Sequence, residues 1–90
     1  MKKCIVTVLG QDQVGIIAKV CTYLAESEVN ILDISQSIIA GFFHMMMVVD
    51  VSGMKKDFAQ VCDDLETIGE EIGVDIRCQK AEIFEKMHTL

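Results

Sequence analysis

The sequence predicts an α+β fold in which a four-stranded antiparallel sheet carries two helices on one face. Three observations predict it. Apolar periodicity alternates between two residues and three to four residues, in an order that reads strand, helix, strand, strand, helix, strand. The 90 residues leave room for one domain, spanning 1–90, which removes roughly 60 to 65% of its unfolded surface from water. A hydrophobic fraction of 51% supplies a core for so short a chain and leaves apolar surface over.

The first strand is KCIVTVL, residues 3–9, rich in β-branched side chains and expected to be buried on both faces. From Val14 the period lengthens, and Val14, Ile17, Ala18, Cys21, Leu24 and Ala25 predict the apolar stripe of a helix ending near Glu28. Residues 30–40 alternate again: Leu32, Ile34 and Ile38 face one way and Asp33, Ser35 and Ser37 the other, as in a half-buried strand. Gly41 is the turn. In the third strand Phe43, Met45, Met47 and Val49 share one face, while Phe42, Met46 and Val48 share the other. After Ser52 and Gly53 a second helix carries Phe58, Val61, Cys62, Leu65, Ile68 and Ile72 on its apolar side, with Gly73 as its C-terminal cap. Its acidic side reads as a solvated face. Residues 74–80 form the fourth strand, and the segment 81–90 reads as a short docked helix. This βαββαβ order is the split βαβ of ferredoxin-like folds, and right-handed crossovers place both helices on one face. The apolar residues that the third strand turns to the other face need a cover, either the C-terminal segment or a second copy of the chain.

Composition narrows the function. A net charge of -6 argues against a surface built for phosphate backbones, so nucleic acid is not an expected partner. No stretch is long and apolar enough for a signal-peptide core or a membrane span, so the expected location is cytoplasmic. Cys4, Cys21, Cys62 and Cys78 are widely spaced, each inside an apolar periodic segment, and read as buried thiols rather than zinc ligands. No cofactor motif is present. His44 sits alone in an apolar strand, His88 lies near the chain end, and the Met45 to Met47 run reads as core and interface filler.

The remaining candidate is GQDQVGII, residues 10–17. A P-loop requires Lys and Ser or Thr after its second glycine, where this chain has Ile16 and Ile17, and the dinucleotide fingerprint requires glycine where it has Asp12. What is left is a strand-to-helix turn whose backbone N–H groups favour a small anion such as a carboxylate. The stretch VLGQDQVGIIAKVCTYLAESEVNILDISQ resembles the start of an ACT domain, a small-molecule regulatory module. The family's Asn or Asp three residues before a glycine, and the Asn-Ile opening its second strand, correspond to Asp12, Gly15, Asn30 and Ile31. The ending AEIFEKMH resembles free-standing ACT proteins of about this length, and the chain is similar, more distantly, to the ACT repeats of the glycine-cleavage regulatory protein. Where the common motif has Pro, this chain has Val14.

That resemblance implies a homodimer with an amino acid at the subunit interface. The implied ligand-binding set is Gly10, Gln11, Asp12, Val14, Gly15, Asn30 and Ile31. Backbone N–H groups near Val14 and Gly15 would take the carboxylate, Asp12 the ammonium, and Asn30 with the Ile31 backbone would complete the site from the partner. Structural readings stand beside these: Asp12 as a helix cap, Gly15 as a close helix-to-sheet contact, Asn30 as a turn former. The expected function is a non-catalytic regulatory module, with a protein-interaction module retaining a vestigial ligand site, and an unidentified protein partner, as the alternative. No catalytic triad, paired-carboxylate motif or metal set is visible.

Overall fold

The computed structural model describes residues 2–11 and 15–81. They form β1 (Lys3–Gln11), α1 (Ile16–Glu26), β2 (Asn30–Ile39), β3 (Phe42–Asp50), α2 (Phe58–Ile72) and β4 (Asp75–Lys80). The strands lie in the order β2-β3-β1-β4, with every neighbouring pair antiparallel. The expected ferredoxin-like arrangement is therefore present. The expected C-terminal helix lies outside the described residues.

The core lies between the helices and one face of the sheet. Register places Cys4, Val6 and Val8 of β1 opposite Val49, Met47 and Met45 of β3, and all six are buried. Val20 and Leu24 of α1 and Val61 and Leu65 of α2 close over them. Fully burying side chains of this size stabilises by roughly 1.5–3 kcal/mol each relative to exposure. On the opposite face Ile5 is buried, while Met46 and Val48 are half-buried. Burial of β1 on both faces thus holds from Cys4 to Val8, apart from a half-buried Thr7, and fails at Leu9, which is exposed.

Two periodicity readings need correction. In α1 the buried residues are Ile16, Val20 and Leu24, whereas Ile17, Ala18 and Ala25 are exposed. The stripe is rotated by about one residue from the expected one, because apolar side chains occupy most of the helix circumference and the sheet selects only the i, i+4, i+8 row. The helix also runs from Ile16 to Glu26, shorter at both ends than expected. In β2, expected to be half-buried, every residue from Leu32 to Ile39 is exposed. This strand is a sheet edge, and the helix layer does not reach across it. A bulge between Ile31 and Asp33 leaves Leu32 unpaired and brings Ile31 and Ile34 to the same, helix-side face. Only Cys4 of the four thiols is fully buried; Cys21, Cys62 and Cys78 are half-buried.

Val74 is held between two glycines. A Cβ at Gly10 would lie 2.5 Å from Val74 Cγ1, and one at Gly69 would lie 2.7 Å from the Val74 carbonyl oxygen. The Val74 amide also donates to the Gly69 carbonyl at 2.8 Å. Alanine favours helices over glycine by about 1 kcal/mol, yet at Gly69 it would push on backbone that is hydrogen-bonded in place. Gly69→Ala is expected to destabilise by about 1–3 kcal/mol, read as a lower urea midpoint; an unchanged or higher midpoint would remove the close approach of α2 to β4.

The helices are joined through Asp64 of α2. Tyr23 Oη donates to Asp64 Oδ2 at 2.5 Å, Gln60 Nε2 to Oδ1 at 2.7 Å, and Lys56 Nζ approaches Oδ2 to 3.1 Å. The Tyr23 hydroxyl chiefly, then Gln60 and Lys56, hold this carboxyl below the ordinary value of 3.8. A depressed folded-state value contributes stability above the unfolded value and loses it as pH falls through the folded value. Asp64→Asn is therefore expected to melt below wild type at pH 7, with the gap closing as pH drops below about 3.8. A gap that persisted at pH 2 would assign the effect to packing.

Candidate functional site

Gly15 is the N-cap of α1, in the left-handed conformation with φ 93°. Only glycine adopts this readily. The Lys19 amide donates to the Gly15 carbonyl at 2.9 Å, which closes the first helical turn. Among the described residues no side chain caps this end, and no acidic residue lies in the first turn. The amide groups at the start of α1 carry the positive end of the helix dipole. A Cβ at Gly15 would meet no atom of the described residues within 4 Å, so close packing of the helix on the sheet does not explain this glycine. Backbone conformation does.

Gly10 has a different explanation. It is an interior residue of β1 pressed on Val74, so packing alone requires its identity. Gln11 ends β1, exposed and opposite Phe42. Asp12 and Val14 lie outside the described residues; the N-cap position itself belongs to Gly15.

Asn30 and Ile31 open β2, as expected, at the far end of the sheet. Asn30 pairs with Asp50, and Asp50 with Lys3, the first residue of β1. From Lys3 to Gln11 the strand advances eight residue steps, about 27 Å at the usual rise. Within one protomer the two halves of the candidate site therefore stay apart. Asn30 is exposed, and among the described residues its side chain makes no hydrogen bond, so a self-bonded turn is not what it supplies. The turn before β2 is instead made by Glu28 at φ 61° and by the Val29 amide donating to the Leu24 carbonyl. Asn30 and Ile31 border an open cleft of about 540 Å³ shared with Cys21, Ala25 and Glu28.

The edge that β2 presents is apolar and exposed. Leu32, Ile34, Ile38 and Ile39 are all more than 40% exposed, and from Ile34 to Ile39 the strand has neither charge nor proline. Natural edge strands are normally blunted by such residues. The other edge, β4, is blunted: Arg77 Nε bonds Asp75 at 3.1 Å on its exposed side. Beside β2, Phe42 extends the apolar surface at the hairpin, where Ala40 and Gly41 both take positive φ as a two-residue turn requires.

The side chains here offer little chemistry. His44 is half-buried opposite Leu9 and Ser37. Burial chiefly pushes the Cys4, Cys62 and Cys78 thiols up, keeping them protonated and poorly nucleophilic at neutral pH. Among the described residues no three His, Cys, Asp or Glu side chains converge on a metal position.

Comparison with known proteins adds to this geometry. The ACT domain family model matches residues 2–79. A UPF0237 protein of Bifidobacterium longum is 59% identical over 90 residues, with all of both chains covered. Among solved structures, an ACT domain protein from Streptococcus pneumoniae superposes with a TM-score of 0.82 at 43% identity, over 93% of this chain and 94% of that one. The regulatory subunit of aspartate kinase from Thermus flavus gives a TM-score of 0.62 at 30% identity, over 88% of this chain and 52% of that one.

Proposed function

The chain belongs to the ACT domain family, and from that premise we propose that it is a non-catalytic regulatory module whose two copies pair through β2 and hold an amino acid between them. The observation that carries this reading is the exposed edge of β2, without charge from Ile34 to Ile39. Antiparallel pairing of two β2 edges about a two-fold axis sets the start of one strand beside the end of the other. Asn30 of the second copy would then lie toward the end of the sheet where β1 finishes and α1 begins. Such pairing reunites two half-sites that one protomer keeps about 27 Å apart.

The chemistry then suits an α-amino acid. The left-handed Gly15 and the start of α1, which no side chain caps among the described residues, favour a carboxylate. Asp12 would supply a negative charge for the ammonium, backbone N–H groups near Gln11, Val14 and Gly15 would take the carboxylate, and Asn30 with the Ile31 backbone would complete the site from the second copy. Gly10 serves by letting β1 pass close to Val74 and so fixing where the turn begins. The similarity to a regulatory subunit of aspartate kinase supports a ligand from amino-acid metabolism. Four free cysteines suit a reducing cytoplasm, and no helix among the described residues is long and apolar enough to cross a membrane.

The test is thermal unfolding against each of the twenty amino acids at fixed protein concentration. Ligand at a hundred times its dissociation constant stabilises by about 2.7 kcal/mol, a shift on the order of 10 °C for a domain of this size. A shift with one or two amino acids supports the sensor. Twenty flat curves would overturn the ligand and favour the second reading, a protein-interaction module, which rests on Leu9 of β1 and Phe42 of β3, both exposed on the sheet.

A further inference from the structure

The basic residues of this acidic chain are unevenly placed. Lys2, Lys3, Lys56 and Lys80 line one cavity of about 610 Å³, where β1 begins, β4 ends and α2 starts. They are half of the eight lysines and arginines in a chain of net charge -6. Among the described residues one acid, Asp57, shares the wall. Lys56 is committed to Asp64, but Lys2, Lys3 and Lys80 form no ion pair with a carboxylate among the described residues.

Like charges crowded around a concavity repel, and leaving them without counter-charge costs stability unless an anion comes to the site. The sheet offers a mixed-charge alternative close by, since Arg77 and Asp75 neutralise each other on β4. Lys2, Lys3 and Lys80 are not so arranged among the described residues. We propose that this cavity binds a small phosphate-bearing molecule.

Three features of the wall favour that class. The cations are all lysines, point charges with rotatable donors that suit a tetrahedral multivalent anion; the planar fork that selects carboxylates belongs to arginine, and the chain's arginine, Arg77, is not in the wall. The Lys80 ammonium lies 5.6 Å from the centre of the Phe58 ring, which fixes its position at the rim. Phe58, with Met54 and Val51, gives the cavity an apolar floor for the non-phosphate part of a ligand. The uncapped start of α2 adds its partial positive charge, while the lysines and the concavity carry the argument. The site goes beyond the amino-acid reading, because it lies at the end of β1 away from Gln11 and Gly15.

The experiment is an amide NMR titration of the full chain with inorganic pyrophosphate, with acetate at matched ionic strength as the control anion. Saturable shifts confined to residues around the cavity, such as Cys4, Met54 and Phe58, and absent with acetate, are expected. Lys2→Gln with Lys80→Gln should raise the dissociation constant at least tenfold, while Lys19→Gln, whose lysine pairs with Glu71 elsewhere, should leave it unchanged. Both sets replace exposed lysines, and equal urea midpoints would certify their folding. No saturation, equal shifts with acetate, or equal weakening by Lys19→Gln would each overturn the proposal.

Discussion

Replacing Ile34 and Ile38 together by lysine is expected to yield a protein that stays monomeric at concentrations where the proposed dimer of the native chain would form. The two residues are 41% and 63% exposed on the edge strand. In the paired arrangement each isoleucine would give up its exposed area to the second copy. Partial burial of a side chain this size contributes about 1–2 kcal/mol, counted twice at each position because a two-fold interface uses both copies. Loss of roughly 4 kcal/mol weakens association about a thousandfold, and four lysines brought close to one another add repulsion. The folded protomer should barely notice, since substitutions at exposed sites away from special backbone usually change stability by less than about 0.5 kcal/mol. Sedimentation velocity across a hundredfold concentration range reads the first quantity, and urea unfolding of the monomer the second. A dimer that survives both lysines would move the interface to the open sheet face around Leu9 and Phe42. A native chain already monomeric at high concentration would remove the premise.

The same edge marks where the sequence was readable and where it was not. Element order was legible because the apolar period changes at Val14, Asn30 and Phe58, and local sterics turn such changes into strands and helices. Faces of β3 were legible because its alternation is unbroken and the sheet interior offers no choice. The phase of α1 was not, since Ile16, Ile17, Val20, Cys21, Leu24 and Ala25 span more of the helix than the sheet can cover. Local pattern states which arcs are apolar, and only packing selects among them. Alternation in β2 likewise reported chemistry without burial, and the bulge at Leu32 is a local geometry that alternation does not encode. At the candidate site, Gly10 and Gly15 look equivalent in the sequence. Structure separates them: one is required by Val74, distant along the chain, the other by a left-handed backbone. The lysine cavity was invisible for the same reason, as it gathers residues from both ends of the chain.

Asp12→Asn is expected to weaken the responsive amino acid by about 10- to 100-fold while leaving the ligand-free melting temperature within about 2 °C of the native value. The first figure follows from losing a charge-assisted hydrogen bond to the ligand ammonium, worth about 1.5–3 kcal/mol, with 1.4 kcal/mol per factor of ten. The second follows from the helix start. Gly15 occupies the N-cap of α1, so a carboxylate three residues earlier is not in the position whose removal costs capping energy. Asparagine also keeps the size and hydrogen-bonding oxygen of aspartate, which separates charge from shape. The measurement pairs isothermal titration with the amino acid giving the largest thermal shift and unfolding of both proteins without ligand. A melting temperature lowered by several degrees with affinity untouched would make Asp12 a structural residue of the turn, and the ammonium would have to be held elsewhere. Affinity lost along with dimerisation would instead place Asp12 in the contact between copies, because the two half-sites can meet only if the copies do.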